Sequence, residues 1–593
     1  MKNEISRRIN KLRELMISNN IDAYYIGTDD FHLSEYVGDY FKCREYMSGF
    51  TGSSGTLIVT NQEAHLWTDG RYFIQAAKQL SNTEIKLQKM GEKNVPTITE
   101  FLSTNLICGD RLGLDGRTIS LEFGTALNNE LSANGVSLVT NLDLVDQVWT
   151  ARPELSKAPA YLIDEKYTGI HSTNKIANLR NELTKANVNG HILTTLDDIA
   201  WLLNIRGADI DFNPLILSYA YISQNEFILF ADECKFNTEM SDYLKGLDIT
   251  IMPYNHIYTF VDTLKKDMSI LISPEFTNYE IGSKLMERLK VVLAVNPTTT
   301  AKAIKNSIEI ASTKEVHLKD AVAMIRFIKW LKENVATGQI TELSASKKLY
   351  EFRKEQGCFD ESFAAIVGYN AHGAIVHYEA TEETDVKLLD EGLVLVDTGG
   401  HYMGGTTDIT RTIVLGPLSD TMKLHFTAVL SGMFALGNAV FPNTFAAAQL
   451  DVIARSPLWK LGLDYNHGTG HGVGHMLNVH EFPNNINCKN VGYSVPMEAG
   501  MINSNEPGLY IEGEYGIRHE NEMLCVKSDV SPELLAFEYL TFVPFDLAGI
   551  DLSYISNETR ESLNTYHQIV FEKISPLLNP DEVSWLKNAT QKI

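Results

Sequence analysis

The sequence predicts an α/β (α+β) protein of several domains, and three observations carry that reading. The chain has 593 residues, more than one hydrophobic core sustains. A helix-then-strand pattern occurs twice, RINKLRELMISNNIDAYYIGTDD at 8–30 and KIANLRNELTKANVNGHILTTLDD at 175–198. In each copy an amphipathic helix (Leu12 answered by Leu179) leads into a short apolar strand (23–26 answered by 190–193) and an acidic turn. Two copies about one domain length apart imply two α/β domains of the same kind. The C-terminal half, finally, holds two segments that each set a pair of acidic residues about a glycine-containing turn.

Taken in order, the first repeat is followed by YMSGFTGSSGTLIV (46–59) and HLWTDGRYFIQAA (65–77). SGFTGSSG has the glycines of a phosphate loop but lacks the lysine of GxxxxGK[ST], so it reads as a turn. Two prolines in a polar stretch, 153–160, mark a first linker, and a second boundary falls at 298–305. The expected domains are 1–155, 156–303 and 304–593. The last opens on a long helix in which Val316, Ala323, Phe327 and Trp330 recur at helical spacing, which makes it a cover for the sheet behind it. Trp201, in the second domain, reads as packing. The tail from about 546 carries Ser, Pro and Asp helix-start signals and is predicted helical.

The chemistry concentrates in three segments. In VLVDTGGHYMGGTTDITRTIVL an apolar run enters and an alternating run leaves, which predicts a hairpin with Asp397 and Asp408 opposite one another. NEPGLYIEGEYGIRHE repeats the device with Glu506 and Glu520. Like charges directly opposed across strands are destabilising, so a chain that places them so twice calls for cations between them. A single carboxylate of this kind reads as a solvated turn residue; four in matched hairpins do not. Between the hairpins lies YNHGTGHGVGHMLNVHEFP, where His467, His471, His475 and His480 interleave with glycines that let the backbone approach a site closely or adopt positive φ. Together Asp397, Asp408, His471, Glu506 and Glu520 are five ligands suited to two divalent ions. One imidazole and four carboxylates without thiolate form a hard site that suits Mn(II) and accepts Co(II), Fe(II) or Zn(II).

In this order and spacing the five residues resemble the dinuclear site of the pita-bread metallopeptidases, which include methionine aminopeptidase, prolidase and aminopeptidase P. His377 in IVHYEA, His467 in NHGTGHG, His480 in LNVHE and Arg518 in GIRHE bring the resemblance to aminopeptidase P, the Xaa-Pro aminopeptidases, in their long three-domain cytosolic form. The resemblance spans essentially the whole chain. It implies two creatinase-like N-terminal α/β domains, to which 46–77 and 197–219 are similar, followed by a pita-bread catalytic domain whose tail contributes to subunit contacts. His519, where an apolar residue is usual, and His475, after GVG, depart from the pattern.

The resemblance further implies that Asp408 and Glu520 bridge two ions, that Asp397 completes one and that His471 with Glu506 completes the other. A hydroxide shared by the ions is then the nucleophile. Glu506 would shuttle its proton to the leaving nitrogen, His377 and His480 would donate to the scissile carbonyl and the developing oxyanion, and His467 would flank the proline. Arg518, two residues before Glu520 in an alternating strand, shares that ligand's face. Proline's amide lacks a hydrogen and its ring fixes φ, so cleavage before it needs such a specialised pocket. Rival readings are a dipeptidase like prolidase, methionine aminopeptidase (against which the two preceding domains and His377 weigh), and a non-enzymatic binding module, which would typically lose ligands.

Composition agrees with a soluble cytoplasmic enzyme. The formal charge of −24 is spread along the chain with no basic stripe for nucleic acid, and no apolar run reaches membrane-span length. The six cysteines have no CxxC or disulfide-framework spacing, and the charged N-terminal helix is unlike a signal peptide. The resemblance implies as partners peptides with proline second and a second copy of the chain in a homodimer.

Overall fold

A computed structural model describes residues 2–489 and 495–593. The chain divides into two compact units, one made of 1–163 with 170–298 and the other of 164–169 with 299–593.

The first unit contains two six-stranded sheets of the same design. In one, Ala23–Ile26 lies between Thr56–Thr60, antiparallel, and Arg111–Gly113, parallel. In the other, Gly190–Leu193 lies between Ser218–Ser223, antiparallel, and Ser269–Ile272, parallel. Each sheet continues outward in the same order and with the same strand senses. The repeated segments occupy equivalent places, with helix Lys2–Ser18 or Ser172–Lys185 leading into the central strand. Leu12 and Leu179, the matched positions of those helices, are both buried.

The second unit combines antiparallel sheets with helices. Ile366–Tyr369, Leu393–Thr398 and Ile409–Val414 form a three-stranded sheet. A six-stranded sheet runs through Asn521–Lys527, Ile502–Asn505, Gly470–Gly472 and Glu481–Ile486. The hairpin Gly508–Ile511 with Tyr515–Arg518 completes the set. Helix Ser307–Asn334 starts at a capping box in which Asn306 accepts from the Glu309 backbone and Glu309 accepts in return. Its Val316, Ala323 and Phe327 are buried and Trp330 packs at the edge of the core. The C-terminal segment is helical over Asn557–Ile574 and Pro580–Ala589. Among the described residues no helix is long and apolar enough to cross a membrane.

Candidate metal centre

The two carboxylate hairpins differ in register. Asp397 faces Thr410, and Thr398 faces Ile409, so Asp408 stands two residues along from the position opposite Asp397. The expected direct opposition of Asp397 and Asp408 is thus corrected to a diagonal one. Its cause is the excursion between them: Gly400–Tyr402 and Gly405–Thr406 leave the ladder to pair with each other and with Cys358–Glu361. In the second hairpin Asn505 faces Asn521 and Gly508 faces Arg518, a register that sets Glu506 opposite Glu520.

His471 enters on Gly470–Gly472. Its backbone N–H donates to Ser504 Oγ at 3.0 Å, and its Nδ1 lies 2.9 Å from the Gly472 carbonyl. Nδ1–H therefore donates to that carbonyl and Nε2 presents its lone pair. Nε2 lies 3.4 Å from Asp408 Oδ2 and 3.3 Å from Glu506 Oε1. Ligand atoms of Asp408, His471 and Glu520 all fall within 4.8 Å of one another. The flanking glycines act by close approach: a Cβ on Gly470 would strike the Ser504 carbonyl, and one on Gly472 the Glu481 carbonyl. Neither has positive φ, so the alternative reason for glycine there does not apply.

The electrostatics ask for cations. Burial first, and then Asp397, Glu506 and Glu522, push the Asp408 carboxyl well above its ordinary range. Burial and then Asp408 do the same to Glu520, and burial raises Glu506. Asp397 Oδ1 and Glu520 Oε1 are buried with no hydrogen-bond partner. Buried carboxylates crowded in this way, with bare oxygens, fit two divalent ions and little else.

Arg518 organises the rim. Its Nε lies 3.2 Å from Asp397 Oδ2, to which Nη2 also donates, and Nη1 donates to Tyr510 Oη at 2.6 Å. Nη2 further reaches the Val376 carbonyl at 3.3 Å, which brings the turn carrying His377 to the site. The next residue, Tyr378, donates to buried Glu342 at 2.8 Å. His467 Nε2 lies 2.8 Å from Tyr510 Oη, and the His480 ring meets His471 edge-on with centroids 4.2 Å apart. Arg518 and the His480 ring thus contact members of the cluster directly, His467 reaches Arg518 through Tyr510, and His377 follows the residue whose carbonyl Arg518 bonds.

The two departures from the family pattern lie away from it. The His519 ring lies between Phe426 and Phe545, and burial lowers its pKa to about 3. His475 bonds Thr313 and the Tyr167 carbonyl and ties its loop to helix Ser307–Asn334. Sequence reasoning missed Glu522, whose carboxylate accepts from the Asp408 N–H at 2.6 Å and meets His317 Nε2 at 3.1 Å. It missed Thr410, which donates to Glu520 at 2.8 Å, and Tyr510 as well. Glu522 follows Glu520 at strand period, the one sequence signal that pointed to it.

Comparison with known proteins places this geometry. The models described as "Creatinase/Prolidase N-terminal domain" match residues 8–148 and 151–309, "Metallopeptidase family M24" matches 311–527, and "C-terminal region of peptidase_M24" matches 533–593. Aminopeptidase P2 of Arabidopsis thaliana is 38% identical across 97% of this chain and 86% of its own. The chain belongs to metallopeptidase family M24. Among its members, Xaa-Pro aminopeptidase 1 of Dictyostelium discoideum is 37% identical over 98% of this chain and 96% of its own. The crystal structure of X-prolyl aminopeptidase from Caenorhabditis elegans, described as a cytosolic enzyme with a di-nuclear active site, is 35% identical. It superposes with a TM-score of 0.95 over 99% of this chain and 100% of its own. That likeness covers both units; an Xaa-Pro dipeptidase from Bacillus anthracis, 24% identical, shares the fold over 64% of this chain and 99% of its own with a TM-score of 0.51.

Proposed function

We propose that this M24 protein is an Xaa-Pro aminopeptidase that hydrolyses the first peptide bond of peptides with proline second, using two divalent metal ions. The observation that carries the reading is a ligand cluster with orphaned carboxylate oxygens, bordered by the His480 ring, which the ligand set does not use. Asp397, Asp408, His471, Glu506 and Glu520 would hold the ions, with Asp408 and Glu520 between them. Bound there, the ions supply Lewis acidity and lower the pKa of coordinated water.

The chain's own groups supply the rest. Glu506, one carboxylate oxygen of which lies against His471 Nε2, accepts a proton from the attacking water and delivers it to the prolyl nitrogen. His377 and His480 donate to the scissile carbonyl as charge develops on it, and His467 flanks the proline ring. Arg518, held between Asp397 and Tyr510, fixes both and can relay protons. Mn(II) suits the oxygen-rich donor set. A cytoplasmic homodimer, with domains dividing near 155 and 303, belongs to the same reading.

The test is hydrolysis of a matched set, Arg-Pro, Arg-Pro-Pro, Arg-Ala-Pro and Met-Ala-Pro, by metal-free protein reconstituted with Mn(II), Co(II) or Zn(II). Arg-Pro-Pro should exceed Arg-Ala-Pro in kcat/KM by roughly 10²-fold or more, with the loss largely in kcat, because the ring positions the bond for attack. Preference for Arg-Pro alone would make the protein a dipeptidase. Equal values for Arg-Pro-Pro and Arg-Ala-Pro would remove the proline specificity and leave the metallopeptidase.

A further inference from the structure

Directly after His480 the chain buries three charges that the proposed reaction does not use. Glu481 is 4% exposed, Lys305 3% and Lys302 2%. Lys305 Nζ donates to Glu481 Oε2, and Lys302 Nζ lies 3.7 Å from Oε1. The Lys305 ammonium also reaches the Lys302 carbonyl at 3.2 Å and the Ala303 carbonyl at 3.4 Å, the last turn of helix Pro297–Ala303. A cation there is favoured by the helix end. The Lys305 backbone N–H donates to the Gly500 carbonyl at 3.0 Å, which anchors the lysine itself.

The need for this clamp lies in the strand ladder. Along Glu481–Ile486 the partners run Ile486 with Gly470, Asn485 with His471, and then jump to Glu481 with Gly472. The segment between Glu481 and Asn485 leaves the ladder and Glu481 rejoins it opposite Gly472, so the register beside His480 rests on Glu481 rather than on regular pairing from Asn485. Metal ligand His471 does not depend on that pairing, because Ser504, the Gly472–Asn503 pair and the Val473 bond to Ile502 hold it from the other side. His480 has the Glu481 junction as its covalent neighbour. Buried ion pairs are weak stabilisers compared with apolar packing, and their best attested use is to fix register.

We propose that Glu481, clamped by Lys305 and Lys302, is a positioning residue that sets the place of His480 beside the metal centre. The inference rests on the role of His480 proposed above. The Glu481 carboxylate is held by Lys305 and Lys302 while the neighbouring His480 ring meets His471, so the clamp acts through the backbone and touches no substrate.

A double-mutant cycle on the full chain tests this, with kcat, KM, bound metal and thermal unfolding read for Lys305→Met, Lys305→Arg, Glu481→Gln, His480→Ala and Lys305→Met/His480→Ala. Lys305→Met and Glu481→Gln should each lose roughly 10- to 100-fold in kcat on Arg-Pro-Pro with KM within about threefold, the scale expected for a misplaced group. Two ions should remain bound, and Lys305→Arg should recover most of the rate. In the His480→Ala background Lys305→Met should cost about twofold or less, because the residue it positions is gone. A full second loss in that background, or metal content falling in step with rate, would overturn the clamp while the Xaa-Pro reading stood. Wild-type kcat in His480→Ala would overturn the role of His480 and the clamp with it. If Lys305→Met does not fold, the isosteric Glu481→Gln with and without His480→Ala gives the same cycle.

Discussion

The strands around Asp397, Asp408 and Glu520 bury titratable groups on both of their faces, and the two faces solve the problem in opposite ways. The front gathers Asp397, Asp408, Glu506 and Glu520 with Arg518 as the cation among them. The back carries Arg411, His519 and His567. Arg411 bonds the Glu520, Thr410 and Val543 carbonyls, Asn521 Oδ1 and Tyr566 Oη, all neutral acceptors, and stacks on Phe545. His567 Nε2 accepts from the Phe545 N–H at 3.0 Å, which fixes it as a neutral imidazole. Burial, and then Arg411, lowers both histidines to about 3. The back face thus carries one fixed charge, held by neutral acceptors, beside imidazoles kept neutral, although Arg411 Nε, His567 Nδ1 and both His519 nitrogens are buried without a hydrogen-bond partner. The front leaves Asp397 Oδ1 and Glu520 Oε1 bare and raises three of its carboxyl pKa values, so it is complete only with added positive charge. Burial and bare polar atoms occur on both faces; what sets the front apart is that its carboxylates crowd against one another.

The largest effect should come from removing one front charge. Asp408→Asn keeps shape and loses the carboxylate proposed to lie between the ions, so both sites lose affinity and turnover falls below detection. Two tightly held ions in that variant, counted by elemental analysis, would refute the assignment.

The second effect is a reversal of pH dependence. In the metal-free protein Asp408, Glu506 and Glu520 keep their protons to higher pH than in the unfolded chain, where carboxylate pKa values are about 4. The folded state then binds more protons, and its stability declines as pH rises through the window from those ordinary values to the raised ones. Ions displace those protons, so stabilisation by Mn(II) should grow with pH over the same window. Melting temperatures with and without Mn(II) from pH 5 to 8 check it; a gap that shrinks with pH would contradict the front-face account.

The smallest effect belongs to the back. Neutral His519, lowered from 6.5 to about 3, contributes stability that is present above pH 6.5 and is lost as pH falls below it. The slope is at most about 1.4 kcal/mol per pH unit, and His567 contributes alike. His519→Leu should therefore lose less stability than the parent between pH 7 and 5 while its turnover at pH 7 stays within about twofold. An unchanged acid slope in denaturant titrations would show that His519 is not the sensor.

What the sequence made legible follows the range of the interaction. The helix-strand repeat, the metal-ligand candidates and the face shared by Arg518 and Glu520 are written in local spacing, and local spacing survives folding. The diagonal offset of Asp397 and Asp408 was hidden because the inserted Gly400–Thr406 hairpin has no hydrophobic signature of its own. Glu522 with His317, Tyr378 with Glu342, and Lys305 with Glu481 join residues 205, 36 and 176 apart, and nothing in one partner's neighbourhood names the other. His519, beside a ligand in sequence, lies away from the cluster in space, between Phe426 and Phe545.

The central claim, that the front face is completed by two cations, is tested most directly by titrating metal-free protein with Mn(II) and counting ions bound at saturation while following Arg-Pro-Pro hydrolysis. The account predicts two ions per chain and activity that saturates with their binding. Full activity with no bound metal, or no saturable binding at all, would contradict it.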